Sequence, residues 1–226
     1  MKIGILKTGH VPDALAGQFP DYDRMFMRLL DGPEISFRTF DVEAGEMPAA
    51  PEDCGGWLIT GSRCGVYEDH AWIAPLEDFI RASRDADVPM VGVCFGHQII
   101  AQAMGARVEK FEGGWSLGAV EYAFEAPDET LTVMAFHQDQ VLTEPEGATL
   151  IASSAVCRYA GFTYGTWALT VQPHPEFDAA YVQALLDTYA TSLPEDRALS
   201  ARDSLGNPLS TARLVERMNA VLRRQA

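Results

Sequence analysis

Pro89-Met90-Val91-Gly92-Val93-Cys94-Phe95-Gly96-His97-Gln98-Ile99-Ile100 is the stretch on which the fold turns. Its first five residues are apolar and suit a buried strand, and the stripe Ile99, Ile100, Ala103 and Met104 predicts a short helix that Gly105 caps. Between them lies G-x-C-x-G, the layout of a nucleophile elbow. In such an elbow the glycines permit a strained strand-to-helix turn that pushes the nucleophile out, and the next backbone N–H points into an oxyanion hole. Cys94 takes the tip and Phe95 supplies the N–H. The helix N-terminus favours a thiolate there. A buried cysteine between packing glycines accounts for the pentapeptide alone equally well, so its surroundings decide.

Working outward, strands and helices alternate. Ile3–Leu6 reads as a strand, Tyr22, Met25, Phe26 and Leu29 as a helix stopped by Gly32-Pro33, and Ile35–Phe40 as a second strand. Trp57-Leu58-Ile59 runs into the small-residue loop Thr60-Gly61-Ser62. A stripe at Trp72, Leu76, Phe79 and Ile80 ends before Val88-Pro89, since the residue before proline avoids helical geometry. This alternation predicts a parallel sheet flanked by helices, with ligands at the carboxyl ends of its strands. Residues 106–172 change character, with strand-like segments at 107–111, 117–124, 131–136, 149–153 and 167–171 that predict an added β-meander. Two helices follow, striped at Val182, Leu185, Leu186 and Tyr189 and at Leu214, Val215, Met218, Val221 and Leu222. Polar residues from Pro194 to Pro208 predict a loop between them. Arg213, Arg217, Arg223 and Arg224 lie opposite the last stripe, which packs either on the domain or on a second subunit. The expected fold class is therefore α/β, with a mostly parallel central sheet, a domain over 1–190, and a linker and helix over 191–226.

A chain of 226 residues with 47% hydrophobic residues is large enough for a full core without a disulfide or metal staple. Cysteines stand at 54, 64, 94 and 157 with no C-x-x-C pair, which disfavours a structural zinc site or a dithiol redox motif. They read as free thiols in a reducing compartment. The N-terminal apolar run between Lys2 and Lys7 is too short for a signal peptide, and no run approaches a membrane span. Seventeen basic residues against thirty-two acidic ones give a net charge of −15, which disfavours nucleic acid and anionic membranes as partners. A soluble cytoplasmic protein is expected. There is no G-x-x-x-x-G-K loop and no obvious metal-ligand cluster, so neither nucleotide, metal nor other cofactor is expected in the chemistry.

A cysteine nucleophile needs a histidine base, and the base needs an orienting acceptor. Of the five histidines, His174 lies in Val171-Gln172-Pro173-His174-Pro175-Glu176, after a strand and between two prolines that restrict its backbone. In an extended segment, positions two apart project to the same side, which places the Glu176 carboxylate against the imidazole. His97, beside Cys94, reads as structural, as do His10, His70 and the other cysteines.

Cys94-Phe95-Gly96-His97-Gln98 followed by His174-Pro175-Glu176 resembles the class I glutamine amidotransferase domain, whose triad is Cys, His and Glu. Leu58-Ile59-Thr60-Gly61-Ser62 is similar to that family's oxyanion loop, and Phe136-His137-Gln138-Asp139-Gln140-Val141 to its His-x-Asp segment. The resemblance covers about residues 1–190. It implies a flavodoxin-like core, with Cys94 as nucleophile, His174 as base and Glu176 as its orienting group. Gly61, Ser62 and Phe95 would form the oxyanion hole. Gln98, Trp115, Ser116, His137 and Asp139 would meet a small-molecule substrate, glutamine or a γ-glutamyl compound, and a γ-glutamyl thioester on Cys94 would be hydrolysed.

Gly61-Ser62-Arg63 departs from the Gly-Gly-Pro common in this loop, so the loop is expected to be shaped differently. Together with Tyr67-Glu68-Asp69 it looks closest to the stand-alone branch that includes γ-glutamyl peptidases. The alternatives are a glutaminase subunit that delivers ammonia to a separate synthetase partner, and a catalytically silent binding or regulatory protein. A related elbow peptidase family places histidine directly after its nucleophile, where this chain has Phe95.

Overall fold

The computed structural model describes residues 1–125 and 129–224. The elements are β1 (Lys2–Lys7), α1 (Tyr22–Leu29), β2 (Ser36–Asp41), β3 (Gly56–Ile59), α2 (Ile73–Asp85), β4 (Met90–Val93), α3 (Phe95–Ala103), β5 (Val108–Lys110), β6 (Ser116–Phe124), β7 (Glu129–His137), β8 (Asp139–Val141), β9 (Thr149–Ser153), β10 (Gly161–Tyr164), β11 (Ala168–Val171), α4 (Ala179–Thr188), α5 (Glu195–Ser204) and α6 (Thr211–Leu222). Nine strands form one sheet in the order β2-β1-β3-β4-β11-β10-β9-β6-β7. The first five are mutually parallel and the rest continue antiparallel. The expected meander is thus an extension of the main sheet. Its first segment is the exception, because β5 leaves the sheet and pairs with β8. β8 and β10 lie outside the strand segments expected from the sequence.

Period-two alternation along the parallel strands divides the core. Leu6, Trp57, Ile59 and Met90 pack with α2 and α3 residues such as Leu76, Ile80 and Ile100. Ile5, Leu58, Val91, Val93 and Val171 face the opposite side, against Phe26 of α1 and Leu214, Met218 and Leu222 of α6. The last helix therefore packs in cis, as a full member of the core. Its arginines are held in cis as well: Arg217 pairs with Glu129 and lies over the Phe124 ring, and Arg224 reaches Asp87 at 2.8 Å.

The loop expected over 194–208 is corrected by α5. This helix has no apolar stripe to signal it, because only Ala201 is buried. It is held instead by close backbone approach. Gly118 of β6 has φ +81°, and a Cβ there would lie 2.8 Å from the Ala201 Cα. Ser204 Oγ accepts the Ala119 N–H at 2.9 Å.

Although β7 is last in the sheet order, its Met134 forms a bridge with His174, just beyond β11, and the His174 N–H donates to Met134 O at 2.8 Å. The antiparallel half therefore curls back over the carboxyl end of the parallel half. That curl brings the distant strand ends together at one place.

Candidate active site

Cys94 sits between β4 and α3 with φ 53° and ψ −103°, a region that costs a non-glycine residue about 1–3 kcal/mol. Its neighbours explain how the turn is held. A Cβ on Gly92 would stand 2.5 Å from Gly96 O, and one on Gly96 would stand 2.4 Å from Ile59 O. Only glycine lets α3 start this close to β3 and β4. The turn is also pinned by Cys94 N–H donating to Val171 O at 2.9 Å and Gly96 N–H donating to Thr60 O at 3.2 Å. Phe95 opens α3, so its N–H has no intrahelical acceptor.

His174 is 4% exposed and is fixed on several sides. Its Nδ1 lies 2.7 Å from Glu176 Oε1, and its ring stacks on Phe177 with centroids 4.0 Å apart and 3° between planes. Burial alone would lower the imidazole pKa, but the negative charges of Cys94 and Glu176, with hydrogen bonds to both, outweigh it and raise it to about 10. The imidazolium is thus the form favoured at His174. Glu176 Oε2 is buried without a partner among the described residues, so the carboxylate is committed to His174 through Oε1.

Gly61 closes the site from the β3 side. A Cβ built on it would lie 3.0 Å from His174 Cε1 and 3.8 Å from Cys94 Cβ. The loop is braced by residues that the sequence reading passed over. Thr8 Oγ1 donates to Thr60 O at 3.0 Å, and its N–H donates to Thr60 Oγ1 at 3.0 Å, both residues being fully buried. Gly9 packs so closely that a Cβ there would stand 2.8 Å from Gly61 O. Thr8 and Thr60 lie just beyond the paired ends of β1 and β3, so these bonds form only once those two strands lie side by side. Phe177 and Met134 were also missed, the latter because it comes from the far edge of the sheet.

Several of the expected substrate residues are tied together by hydrogen bonds. Gln98 Nε2 donates to Asp139 O at 2.9 Å and to Gln172 Oε1 at 3.0 Å, which leaves Oε1 as the atom it can offer a ligand. His137 Nδ1 lies 3.2 Å from Asp139 O. A carbonyl only accepts, so Nδ1 carries the proton and Nε2 is a bare acceptor. That Nε2 is buried without a partner among the described residues, and burial followed by the His174 charge pushes the ring pKa down to about 3. Ser116 is buried directly across the ladder from His137. Trp115, next to Ser116, packs its ring edge-on against Phe136 at 5.7 Å. The Asp139 carboxylate accepts from Tyr67 Oη at 3.0 Å, and burial raises its pKa despite that bond.

His97 is fully buried, with Nδ1 2.9 Å from Thr170 Oγ1 and Nε2 3.0 Å from Tyr159 O, and burial lowers its pKa to about 4. It ties α3 to β11, the structural part expected of it. All four cysteines are free thiols. Among the described residues, no helix is long and apolar enough to cross a membrane.

Fold and site together define an α/β protein with a cysteine at a strand-to-helix elbow and a histidine–carboxylate pair beside it. Residues 38–184 match the family described as glutamine amidotransferase class-I, and the chain belongs to that family. It is 31% identical over 180 residues to gamma-glutamyl peptidase 4 of Arabidopsis thaliana, a match covering 74% of this chain and 72% of that protein. It is 29% identical over 148 residues to a glutamine-hydrolyzing GMP synthase subunit of Halobacterium salinarum, covering 62% of this chain and 73% of that one. A glutamine amidotransferase structure from Methylobacillus flagellatus superposes with a TM-score of 0.73 at 22% identity, covering 99% of this chain and 90% of that one. The flavodoxin-like fold expected from the sequence is the fold shared with that structure.

Proposed function

We propose that this protein hydrolyses γ-glutamyl amide bonds, in glutamine or in γ-glutamyl compounds, through a thioester on Cys94. The observation that carries this reading is the convergence on Cys94 of Gly61 and of a His174 ring bonded to Glu176 at 2.7 Å. Similarity to gamma-glutamyl peptidase 4 supports the substrate class.

The Cys94 thiolate attacks the γ-carbonyl carbon, forming the C–S bond as the carbonyl electrons move onto oxygen. The N–H of Phe95 and that of Gly61 or Ser62 hold this oxyanion, and one such donor is worth about 3 kcal/mol. Protonated His174 then gives its Nε2 proton to the departing nitrogen, and the C–N bond breaks. Neutral His174 next takes a proton from water, the hydroxide attacks the thioester, and glutamate leaves as the thiolate re-forms. Throughout, Glu176 keeps the Nδ1 proton in place. The Gln98 Oε1, the bare Nε2 of His137, Ser116, the Asp139 loop and Trp115 are proposed to receive the glutamyl portion.

Rapid acid quench of enzyme mixed with glutamine, followed by intact mass measurement, tests this step. A γ-glutamyl adduct on the parent protein that is absent from Cys94→Ala supports it, and an adduct on both or on neither refutes it.

Similarity to the Halobacterium GMP synthase chain supports a second reading, in which the same thioester chemistry supplies ammonia to a separate synthetase partner. The two readings differ in whether the lone chain turns over. An intact Cys94, His174 and Glu176 set argues against a silent regulatory protein.

A further inference from the structure

Beyond the amide chemistry, the loop from Ser62 to Ala71 gathers three donor types that the sequence reading left separate. Cys64 Sγ, a Glu68 carboxylate oxygen and a ring nitrogen of His70 all lie within 4.8 Å of one another. His70 Nε2 is already 2.8 Å from Glu68 Oε2. Beside this group, Glu43 Oε1 from a different segment accepts from Cys64 Sγ at 3.7 Å. The Glu68 and His70 side chains are 46% and 37% exposed, so an ion can enter from solvent.

We propose that Cys64, Glu68 and His70, with Glu43 or a water in the fourth position, form a binding site for a borderline-soft divalent metal ion such as zinc. Thiolate with imidazole selects zinc or cobalt over magnesium or calcium, which prefer oxygen throughout. Tetrahedral zinc holds S, N and O ligands at about 2.0–2.3 Å, and three donor atoms within 4.8 Å of one another stand close enough to share one such ion. Binding forms the metal–sulfur bond and releases the thiol proton to solvent.

The site takes no part in the proposed amide cleavage. Its position suits it to order the loop that borders Cys94. Cys64 N–H donates to Ser62 Oγ at 3.0 Å, next to Gly61. On the other side His70 stacks on Trp72 with centroids 5.6 Å apart, and Trp72 packs on Phe95 at 5.4 Å. An ion bridging residues 64, 68 and 70 would fix both ends of this loop.

The test uses the full chain carrying Cys94→Ala, which removes the competing sulfur beside His174. Cobalt titration followed by absorbance is expected to give a thiolate-to-cobalt charge-transfer band that saturates at a single equivalent and is abolished by added zinc. Adding Cys64→Ser should abolish the band, and His70→Ala should weaken binding by more than about tenfold. Should Cys64→Ser fail to fold, the exposed His70→Ala and Glu68→Gln variants carry the test by isothermal titration with zinc. No saturable cobalt or zinc binding by the Cys94→Ala protein, or binding unchanged in the loop variants, would overturn the proposal.

Discussion

His174 and Glu176, two residues apart on an extended segment, hold each other at 2.7 Å between Nδ1 and Oε1, with the His174 ring flat against Phe177. In the proposed mechanism the carboxylate fixes the proton on Nδ1 and steadies the imidazolium that would donate to the leaving nitrogen. In Glu176→Gln the shape is kept and the charge is lost. Turnover is expected to fall by about 10²–10⁴ in kcat, with the unfolding transition preserved. Steady-state kinetics beside a thermal melt check this, and activity within a few-fold of the parent would remove Glu176 from the account.

Gly61→Ala places a methyl group 3.0 Å from His174 Cε1. The ring is clamped by Phe177 and Glu176, so the loop must shift by some tenths of an ångström. A displacement on this scale at a reacting centre lowers kcat by about ten- to a hundredfold, while the exposed part of the loop absorbs the stability cost. A variant that instead unfolds without a specific kinetic defect would place Gly61 among packing residues only.

Gly118→Ala tests how α5 is attached. Its Cβ would meet Ser204 Oγ at 2.4 Å and Ala201 at 2.8 Å, at a φ of +81°. The expected loss is about 1–3 kcal/mol in urea unfolding. Hydrogen exchange should show it concentrated in 195–204, and uniform loss across the chain would contradict the packing described.

Acid sensitivity follows from two buried neutral histidines. The folded pKa values of His97, about 4, and His137, about 3, both lie below the ordinary 6.5. Between those values the unfolded chain binds more protons than the folded one. The stability they contribute is complete above pH 6.5 and drains away as pH falls toward 4, by up to about 1.4 kcal/mol per pH unit for each histidine. His174, raised to about 10, has the opposite sign: its contribution is complete below 6.5 and is lost as pH rises toward 10. Urea unfolding at a series of pH values should show the acid slope, and His97→Gln should reduce it by one histidine's share. An unchanged slope in that variant would mean that His97 titrates in the fold as it does unfolded.

Much of the architecture was legible because its cause is local. The apolar strand leading into Gly92-Val93-Cys94-Phe95-Gly96 and the His174-x-Glu176 spacing each carry their geometry in adjacent residues. Helix α5 was not legible, since it buries little beyond Ala201 and depends on the bare surface of Gly118 far away in sequence. Thr8 and Met134 were missed for a similar reason: they brace the site only once β1 lies beside β3 and the antiparallel strands have curled back. Phe177 stacks on His174 from only three residues away, in a turn that no apolar periodicity marks. The Cys64, Glu68 and His70 group sits within seven residues, yet its irregular spacing matches no regular ligand pattern, and only the folded loop brings the three donors together.

The central claim is that the lone chain breaks γ-glutamyl amide bonds at Cys94. Its most direct test is glutamate release by the purified protein from glutamine, γ-glutamyl dipeptides and glutathione, beside the Cys94→Ala variant. The account predicts turnover on at least one of these substrates, lost in the variant. A folded parent protein that releases no glutamate from any of them, or release that persists in Cys94→Ala, would contradict it.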